Sequence, residues 1–166
     1  KKFLRINMVS SLDGTISIDG RARALSSDAD RNVFHVLRSL ADVILVGAGT
    51  MRSEEYKPVS LTESEIERRK NTDQEPIPKI AVVSRSGEFN FDTAFFKEAT
   101  NKPIIFTSDI GAKIMSNYSE SAEVISCGKM GVDLRLAIDE LVKRGYKNIL
   151  CEGGPTLNSE LLRSRL

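Results

Sequence analysis

Short apolar runs of strand length recur along the chain and alternate with stretches that have a helical period. Six runs are typical of strands: residues 3–9, 42–46, 79–84, 103–107, 122–126 and 147–151. Four stretches are typical of helices: residues 28–40, 92–98, 109–116 and 133–144. The run at 42–46 (DVILV) lacks polar alternation, which indicates burial on both faces. This alternation predicts a three-layer α/β fold, a mostly parallel central sheet with helices on both faces.

The length of 166 residues suits one domain over residues 1–166. Residues 60–78, rich in Glu, Arg, Lys and Thr, interrupt the alternation and are expected to form a solvated helix or an excursion. The chain begins at Lys1 and ends at Leu166 inside a predicted helix without a stop signal. We therefore expect a domain that is truncated at its C-terminus.

The charge and the apolar runs exclude some classes of partner. A formal net charge of +1 gives no support to binding of nucleic acid or of an anionic membrane. The apolar runs are far shorter than the roughly 20 residues of a membrane span, and no signal peptide is visible. These features predict a cytoplasmic protein. Cys127 and Cys151 show no CxxC spacing and are expected to be buried, reduced thiols.

The end of the second predicted strand carries two glycines in Gly47-Ala48-Gly49-Thr50. In parallel sheets, ligands bind beyond the carboxyl ends of the strands. Thr50 is expected to cap a short helix, whose free amides would form an anion site. Arg52 stands where a dinucleotide fingerprint needs a glycine, and no Walker lysine follows. On this motif alone, a plain turn and a phosphate site are both open interpretations.

Two further strand ends carry polar residues. Ser84 and Arg85 follow the third strand, where a guanidinium can bind a phosphate with two parallel hydrogen bonds. An exposed loop is an equally open interpretation there. The last strand ends in Glu152 and two glycines, followed by a proline that suits the first position of a helix. Two glycine-rich helix starts together indicate an extended ligand with several phosphates, such as a dinucleotide.

Other chemistry has little support in the sequence. Asp-Gly at 13–14 and again at 19–20 predicts two turns of a small hairpin, with Ser11 and Asp13 at the end of the first strand. His35 falls in the middle of a predicted helix and is expected to be structural. The sequence contains no GxSxG, no HExxH and no metal-ligand spacing, so no metal site is predicted. A bound cofactor is the expected source of the chemistry.

Three motifs resemble the reductase domain of riboflavin biosynthesis: SSLDGTI, DVILVGAGTMRSEEY and CEGGPTLNSELL. They occur in the family's order, and the similarity covers residues 3–162. The resemblance implies a dihydrofolate-reductase-like fold whose closing C-terminal strands are absent from this chain, and a homodimer. It also implies reduction of the ribosylamino group of 5-amino-6-(5-phosphoribosylamino)uracil to ribitylamino, with NADPH as the hydride donor.

The resemblance further implies roles for individual residues. Glu152 and Asp13 would be catalytic, with Glu152 nearest the hydride transfer, where a carboxylate stabilises a developing iminium. Ser11 and Glu54 would face the substrate. The cofactor would be bound by Gly47, Gly49, Thr50, Ser84, Arg85, Gly153, Gly154 and Thr156. Arg85 would select the 2′-phosphate of NADPH.

Two departures from the family pattern leave the substrate open. Many members have a basic residue where Thr15 follows the first Asp-Gly, and Asp-x-Pro where residues 54–56 read Glu-Glu-Tyr. The chain is more similar to a stand-alone branch of pyrimidine-reductase-like proteins. The alternatives are an NADPH-dependent reductase of another small heterocyclic or carbonyl substrate, and a non-catalytic nucleotide-binding domain. Binding of a flavin is a weaker alternative because the chain has no tryptophan and only three tyrosines.

Overall fold

A computed structural model describes residues 3–166 as a six-stranded sheet with the strand order β1-β6-β2-β3-β4-β5. The strands are β1 (Phe3–Ile6), β2 (Val43–Gly47), β3 (Lys79–Val83), β4 (Ile104–Thr107), β5 (Glu123–Ser126) and β6 (Asn148–Cys151). The α-helices are α1 (Asp28–Leu40), α2 (Ala48–Ser53), α3 (Glu63–Lys70), α4 (Ala94–Lys97), α5 (Asp109–Ile114), α6 (Leu134–Lys143) and α7 (Pro155–Arg163). Two 3₁₀ helices span Ala22–Leu25 and Met115–Tyr118.

Neighbouring strands of this sheet pair in parallel throughout the described chain. The predicted α/β class is therefore confirmed, and the predicted strand positions are correct to within a few residues. The first strand is shorter than expected, since β1 ends at Ile6 and the chain then leaves the sheet. The predicted burial of β2 on both faces is confirmed, because Val43, Ile44, Leu45 and Val46 are all inaccessible to solvent.

Helices cover both faces of the sheet. Consecutive strand residues point to opposite faces, and β2 shows this clearly. Leu45 packs in one cluster with Ile138 of α6 and Leu161 of α7. Ile44, on the other face, packs with Ala41 at the end of α1. We call these the α6 face and the α1 face, and together with the sheet they form the three predicted layers.

The excursion at residues 60–78 contains α3, which begins with a capping box. Thr62 accepts a hydrogen bond from the Glu65 amide, and the Glu65 carboxylate accepts one from the Thr62 amide. Later in α3, Arg69 is fully buried and donates to the carbonyls of Ser39, Ala41 and Glu75. The excursion thus contains one helix, which is hydrogen-bonded to the end of α1 through Arg69.

Two local predictions were wrong. The turns at 13–14 and 19–20 do form, with Gly14 at φ +85° and Gly20 at φ +78°, but they do not belong to one hairpin. The pairing nearby is one isolated antiparallel bridge between Ile18 and Arg21. Thr50 does not cap α2, because the helix already begins at Ala48 with Gly47 as its N-cap.

The cysteines lie where the sequence predicts. Cys127 directly follows β5, Cys151 ends β6, and both are buried, free thiols. Burial raises the pKa of each thiol to about 11. Both are therefore protonated near neutral pH, as expected for structural cysteines. Within residues 3–166, no helix is both long enough and apolar enough to cross a membrane.

Candidate active site

The carboxyl ends of β2 and β6 lie side by side, and we call the region just beyond them the crevice. These strands are neighbours, but the helices that follow them go to opposite faces of the sheet. Met51 of α2 packs in the cluster of Val46 on the α1 face. Leu157 of α7 packs in the cluster of Leu45 on the α6 face. This divergence is a topological switch point, where open α/β sheets bind their ligands.

The two glycine motifs meet in this crevice. The Gly47 amide donates to the Gly153 carbonyl at 2.7 Å. A Cβ added to Gly154 would lie 2.5 Å from Thr50 Oγ1, so any other residue there would require the Thr50 side chain to move. Gly153 has φ +80°, which other residues rarely adopt, and its peptide bond to Gly154 is cis. Motifs about a hundred residues apart in sequence are thus in direct contact, with Gly153 and Gly154 buried and Gly49 exposed beside them.

The helices that begin at these turns have no side-chain caps. Side chains of Ser27, Thr62, Ser108 and Asp133 cap α1, α3, α5 and α6. No side-chain hydrogen bond caps α2, α4 or α7, and of these three helices α2 and α7 begin at glycines, Gly47 and Gly154. First-turn amides have no partner within the helix, so they are available to an anionic group. Gly49 and Thr156 are exposed at these two helix starts.

Ser84 and Arg85 lie beside this surface, because Val83 at the end of β3 pairs with Gly47 at the end of β2. Ser84 is buried, and its hydroxyl accepts a hydrogen bond from the Gly87 amide at 3.2 Å. It therefore shapes the turn. The Arg85 side chain is exposed, and its guanidinium has no hydrogen bond or ion pair among residues 3–166. It is free to bind an anion.

Glu152 lies directly before the glycines and points to the α1 face. Arg38 of α1 donates Nε and Nη2 to its two carboxylate oxygens at 2.7 and 2.6 Å. Tyr56, in the loop after α2, donates its hydroxyl to Oε2. The Glu152 side chain is only 3% exposed and that of Arg38 is 19% exposed. We call these three residues the Glu152 clamp.

Aromatic rings complete the surroundings of the clamp. The Arg38 Cζ lies 4.3 Å from the centre of the Phe34 ring and 5.0 Å from the centre of the Tyr56 ring. Burial lowers the pKa of Arg38, but hydrogen bonds and the negative charge of Glu152 outweigh it and raise the pKa above its ordinary value. Burial and the charge of Glu152 raise the pKa of Tyr56 well above its ordinary value. Arg38 is thus a cation and Tyr56 a neutral phenol near neutral pH.

Ser11 and Asp13 lie in a separate turn. The Ser11 hydroxyl donates to the Asp13 carboxylate and accepts from the Thr15 amide at 3.0 Å. The hydrogen bond from Ser11 is the main reason that the pKa of Asp13 lies below its ordinary value. Asp13 is exposed, and neither residue is hydrogen-bonded to the Glu152 clamp.

Glu54 has a structural contact. Its carboxylate accepts a hydrogen bond from the Ala22 amide at 2.7 Å. The next residue, Glu55, binds Arg21 at 2.6 Å. These contacts attach the loop between β1 and α1 to the end of α2. The same loop carries Ser11 and Asp13 nearer to its start, and their side-chain hydrogen bonds stay within residues 11–15.

Sequence reasoning missed Arg38 and Tyr56. Arg38 stands in the apolar stripe of α1, between Leu37 and Ala41, which both face the sheet. A charged residue in a buried helical stripe is a signal that its charge has a partner. The sequence does not reveal which partner, because the two contacts with Glu152 join residues 114 and 96 positions apart.

Other parts of the surface show less chemistry. One depression lies between α1 and β1, and another lies at the end of the sheet away from the glycine turns, where β3 and β4 begin. Neither is lined by a predicted site residue. In the described part of the chain, no three His, Cys, Asp or Glu side chains are grouped as metal ligands.

Comparisons with known proteins agree with this architecture. The family model described as the RibD C-terminal domain matches residues 2–166. A protein of Archaeoglobus fulgidus is 25% identical over all of this chain and 76% of its own length. One of Aquifex aeolicus is 29% identical over 94% of this chain and 68% of its own length. Both are named 2,5-diamino-6-ribosylamino-4(3H)-pyrimidinone 5′-phosphate reductase.

A solved structure extends the comparison to the fold. A pyrimidine reductase-like protein from Corynebacterium diphtheriae superposes with a TM-score of 0.86 at 27% identity. The match covers 97% of this chain and 69% of that protein. The expected dihydrofolate-reductase-like architecture and the resemblance of the three sequence motifs are confirmed.

Proposed function

The chain belongs to the RibD C-terminal domain family, and from this premise we propose that it is an NADPH-dependent reductase of riboflavin biosynthesis. The proposed reaction reduces the ribosylamino group of a phosphoribosylaminopyrimidine to ribitylamino. The observation that carries the proposal is the meeting of two uncapped, glycine-started helices at the switch point of the sheet. Such a surface suits a ligand with two phosphate groups.

The substrate is proposed as a class of two close relatives. The family resemblance of the sequence implies 5-amino-6-(5-phosphoribosylamino)uracil, whereas the curated relatives are named for the 2,5-diamino pyrimidinone. The two compounds share the ribosylamino 5′-phosphate and differ at ring position 2. Reduction occurs on the shared part, so the same catalytic surface suits both. An assay with each compound decides between them.

The predicted cofactor residues are proposed to bind a dinucleotide in extended form. Amides at the start of α2, with Gly47, Gly49 and Thr50, would bind one part of the pyrophosphate. The start of α7, with Gly153, Gly154 and Thr156, would bind next to it. Arg85 would bind the 2′-phosphate of the adenosine, because its guanidinium is exposed and unpaired in the described structure. NADPH supplies the hydride when it is bound.

The substrate side is proposed to contain Ser11, Asp13, Glu54 and Glu152. Asp13 is exposed, is kept ionised by the Ser11 hydroxyl, and pairs with no cation among residues 3–166. It is therefore the carboxylate best able to stabilise a positive charge on the substrate. Both carboxylate oxygens of Glu152 already bind Arg38. We therefore propose that Glu152 contributes to catalysis through the position in which it is held, and not through a free negative charge.

A homodimer is part of the same proposal. The outer edge of β1 pairs with no other strand of the described sheet. On α1, Val33, Val36 and Leu40 are exposed. An open edge strand next to exposed apolar side chains is typical of a surface that another chain covers.

Titration with NADPH and NADH, followed by nicotinamide fluorescence, tests the proposed function. We expect clear preference for NADPH. Arg85→Ala should weaken NADPH binding by about tenfold or more and leave NADH binding unchanged, since only NADPH carries the 2′-phosphate. Arg163→Ala is the matched control, because Arg163 is exposed at the far end of α7 from the glycine turn.

The alternatives give different results in the same experiments. A non-catalytic domain would bind NADPH and oxidise it with neither pyrimidine. A reductase of another small heterocyclic or carbonyl substrate would also leave both pyrimidines unreduced, but it would turn over with that other compound. Absence of binding by either nucleotide contradicts the reductase proposal as a whole.

A further inference from the structure

The Glu152 clamp places charged groups where apolar side chains would serve the fold as well. Removal of a carboxylate and a guanidinium from water is unfavourable, and apolar replacements of similar size are often equally stable or more stable. In addition, α1 and β6 already meet through apolar side chains, with Ala41 and Leu150 in one cluster. The stability of the fold therefore does not explain why these three residues are charged or polar. A need to hold the Glu152 carboxylate in one position explains it.

The clamp restricts Glu152 in position and in orientation. Two parallel bonds from the Arg38 fork fix the plane of the carboxylate. The guanidinium cannot swing away easily, because the rings of Phe34 and Tyr56 lie against it. The Tyr56 hydroxyl then adds a bond to Oε2 from a third part of the chain. These contacts leave Glu152 little freedom to change rotamer.

Fixing Glu152 also fixes the glycine turn that follows it. On the β2 side, the Glu152 amide donates to the Leu45 carbonyl at 2.9 Å, and the Gly47 amide donates to the Gly153 carbonyl. On the α1 side, the side chain of Glu152 is anchored by Arg38. The turn is thus attached to the sheet by its backbone and to α1 by one side chain. Two glycines have no side chains of their own with which to be anchored.

We propose that Arg38 and Tyr56 are positioning residues of the reductase, which act through Glu152 to hold the Gly153–Gly154 turn in the geometry that hydride transfer requires. The inference rests on the proposed function. It assigns Glu152 the role of an anchored group whose charge is already bound by Arg38. Neither Arg38 nor Tyr56 needs to contact the substrate or the cofactor for this role.

If Arg38 and Tyr56 are positioning residues, their substitution should change kcat more than it changes the affinity for the cofactor. The residues proposed to bind the 2′-phosphate, Ser84 and Arg85, follow β3 and have no hydrogen bond to the clamp. The amides of α2 likewise belong to another element. Of the proposed cofactor contacts, only those at the start of α7 adjoin the clamped turn, so loosening the clamp should leave most of the nucleotide affinity intact. Small displacements of reacting groups are costly in rate, because the reactive geometry is narrow.

Steady-state kinetics of Tyr56→Phe and Arg38→Lys test the proposal. Tyr56→Phe keeps the ring and removes the hydroxyl that binds Glu152, and Arg38→Lys keeps the charge but loses the two-bonded fork. We expect kcat to fall about tenfold or more in each, with the KM for NADPH within about threefold of the wild-type value. Arg85→Ala should show the reverse split, a raised KM and a nearly unchanged kcat.

A double variant tests whether Tyr56 acts through Glu152. If the hydroxyl works only by fixing that carboxylate, Tyr56→Phe should have little further effect on kcat once Glu152→Gln is present. Two effects on kcat that multiply in the double variant would show that Tyr56 acts independently of Glu152, and would overturn the proposal.

Matched controls separate positioning from stability. Tyr118→Phe removes a hydroxyl from a half-exposed ring that stacks on Phe91. Arg144→Lys changes an arginine that pairs with Glu123 and Glu140 at the end of α6. Both controls should keep the wild-type kcat. Clamp variants that lower Tm but keep kcat would overturn the inference and leave the proposed function intact. A wild-type protein that binds neither nucleotide would contradict the proposed function itself.

Discussion

The glycines at the crevice differ in whether the fold requires them. Gly153 needs a positive φ, and Gly154 needs room beside Thr50. A Cβ on Gly47 would make ordinary contacts, at 3.6 Å or more. A Cβ on Gly49 would meet no atom within 4 Å. The fold therefore does not require glycine at position 49. A ligand that approaches the backbone of α2 would require it.

Gly49→Ala should separate stability from binding. Alanine in a helix is favoured over glycine, so the free energy of unfolding should stay unchanged or rise by about 0.5–1 kcal/mol. The added methyl group would lie where the cofactor phosphate is proposed, and the Kd for NADPH should rise about tenfold. Denaturant unfolding and fluorescence titration measure the two effects.

The control for Gly49→Ala is Gly131→Ala. A Cβ on Gly131 also meets no atom within 4 Å, but this residue follows β5, three strands away from β2. Its replacement should leave the Kd for NADPH unchanged. A Gly49→Ala protein that binds NADPH as tightly as the wild type would place the cofactor away from α2.

Residues of the site differ in how far sequence predicts them. The glycine turns and Glu152 could be recognised because each motif is contiguous and follows an apolar run. Arg38 and Tyr56 could not be assigned to Glu152, since their contact depends on which strands are neighbours. Thr50 was misplaced as a helix cap for a local reason, because Gly47, one of the two glycines before it, supplies the N-cap itself.

At the scale of elements, α3 shows a similar limit. Its composition predicts a solvated helix, and seven of its eight residues are at least partly exposed. The exception, Arg69, is fully buried against carbonyls at the end of α1. An arginine among other charged residues gives no sign of burial. The link between α3 and α1 also includes a hydrogen bond of 3.0 Å between His35 and Glu65.

This link predicts a loss of stability in acid. The Thr62 amide, followed by the Thr62 hydroxyl and His35, lowers the pKa of Glu65 to about 2. A carboxyl whose folded pKa is depressed contributes stability above its unfolded pKa, and this is lost as pH falls through the folded pKa. The window runs from about pH 4.5 down to about pH 2. Because the group is partly exposed, we expect only about 1 kcal/mol.

Urea unfolding at pH 6 and pH 3 measures the effect. Glu65→Gln should cost about 1 kcal/mol at pH 6 and less at pH 3, where the wild type has already lost part of the contribution. Glu63→Gln, in the same turn and exposed, should change little at either pH. An equal cost of Glu65→Gln at both pH values would show that its charge is not what stabilises α3.

Across the entire sheet, the order of the strands determines which turns meet at the candidate site. The sequence predicts six strands and their direction, because apolar runs and helical periods are local patterns. It does not predict that β6 inserts between β1 and β2, since almost every apolar run could pair with any other. That insertion places the turn after Cys151 beside the turn after Gly47, as the hydrogen bond between Gly47 and Gly153 shows.

The proposed homodimer leads to a prediction at the same scale. Val36 is 50% exposed on α1, on the side of the molecule where β1 leaves the sheet edge open. In a symmetric dimer each copy presents the same surface, so one substitution acts twice. Val36→Glu would place two carboxylates in the interface and should convert the dimer into monomers, as measured by sedimentation equilibrium.

The matched control for Val36→Glu is Ile110→Glu. Ile110 is 53% exposed and lies on α5, which packs against β4 and β5 at the other edge of the sheet. Its replacement should leave the dimer intact, because the same charge is then added outside the interface. If both variants remain dimeric, the α1 surface is not the interface. If the wild type sediments as a monomer, the exposed stripe on α1 is not explained by self-association.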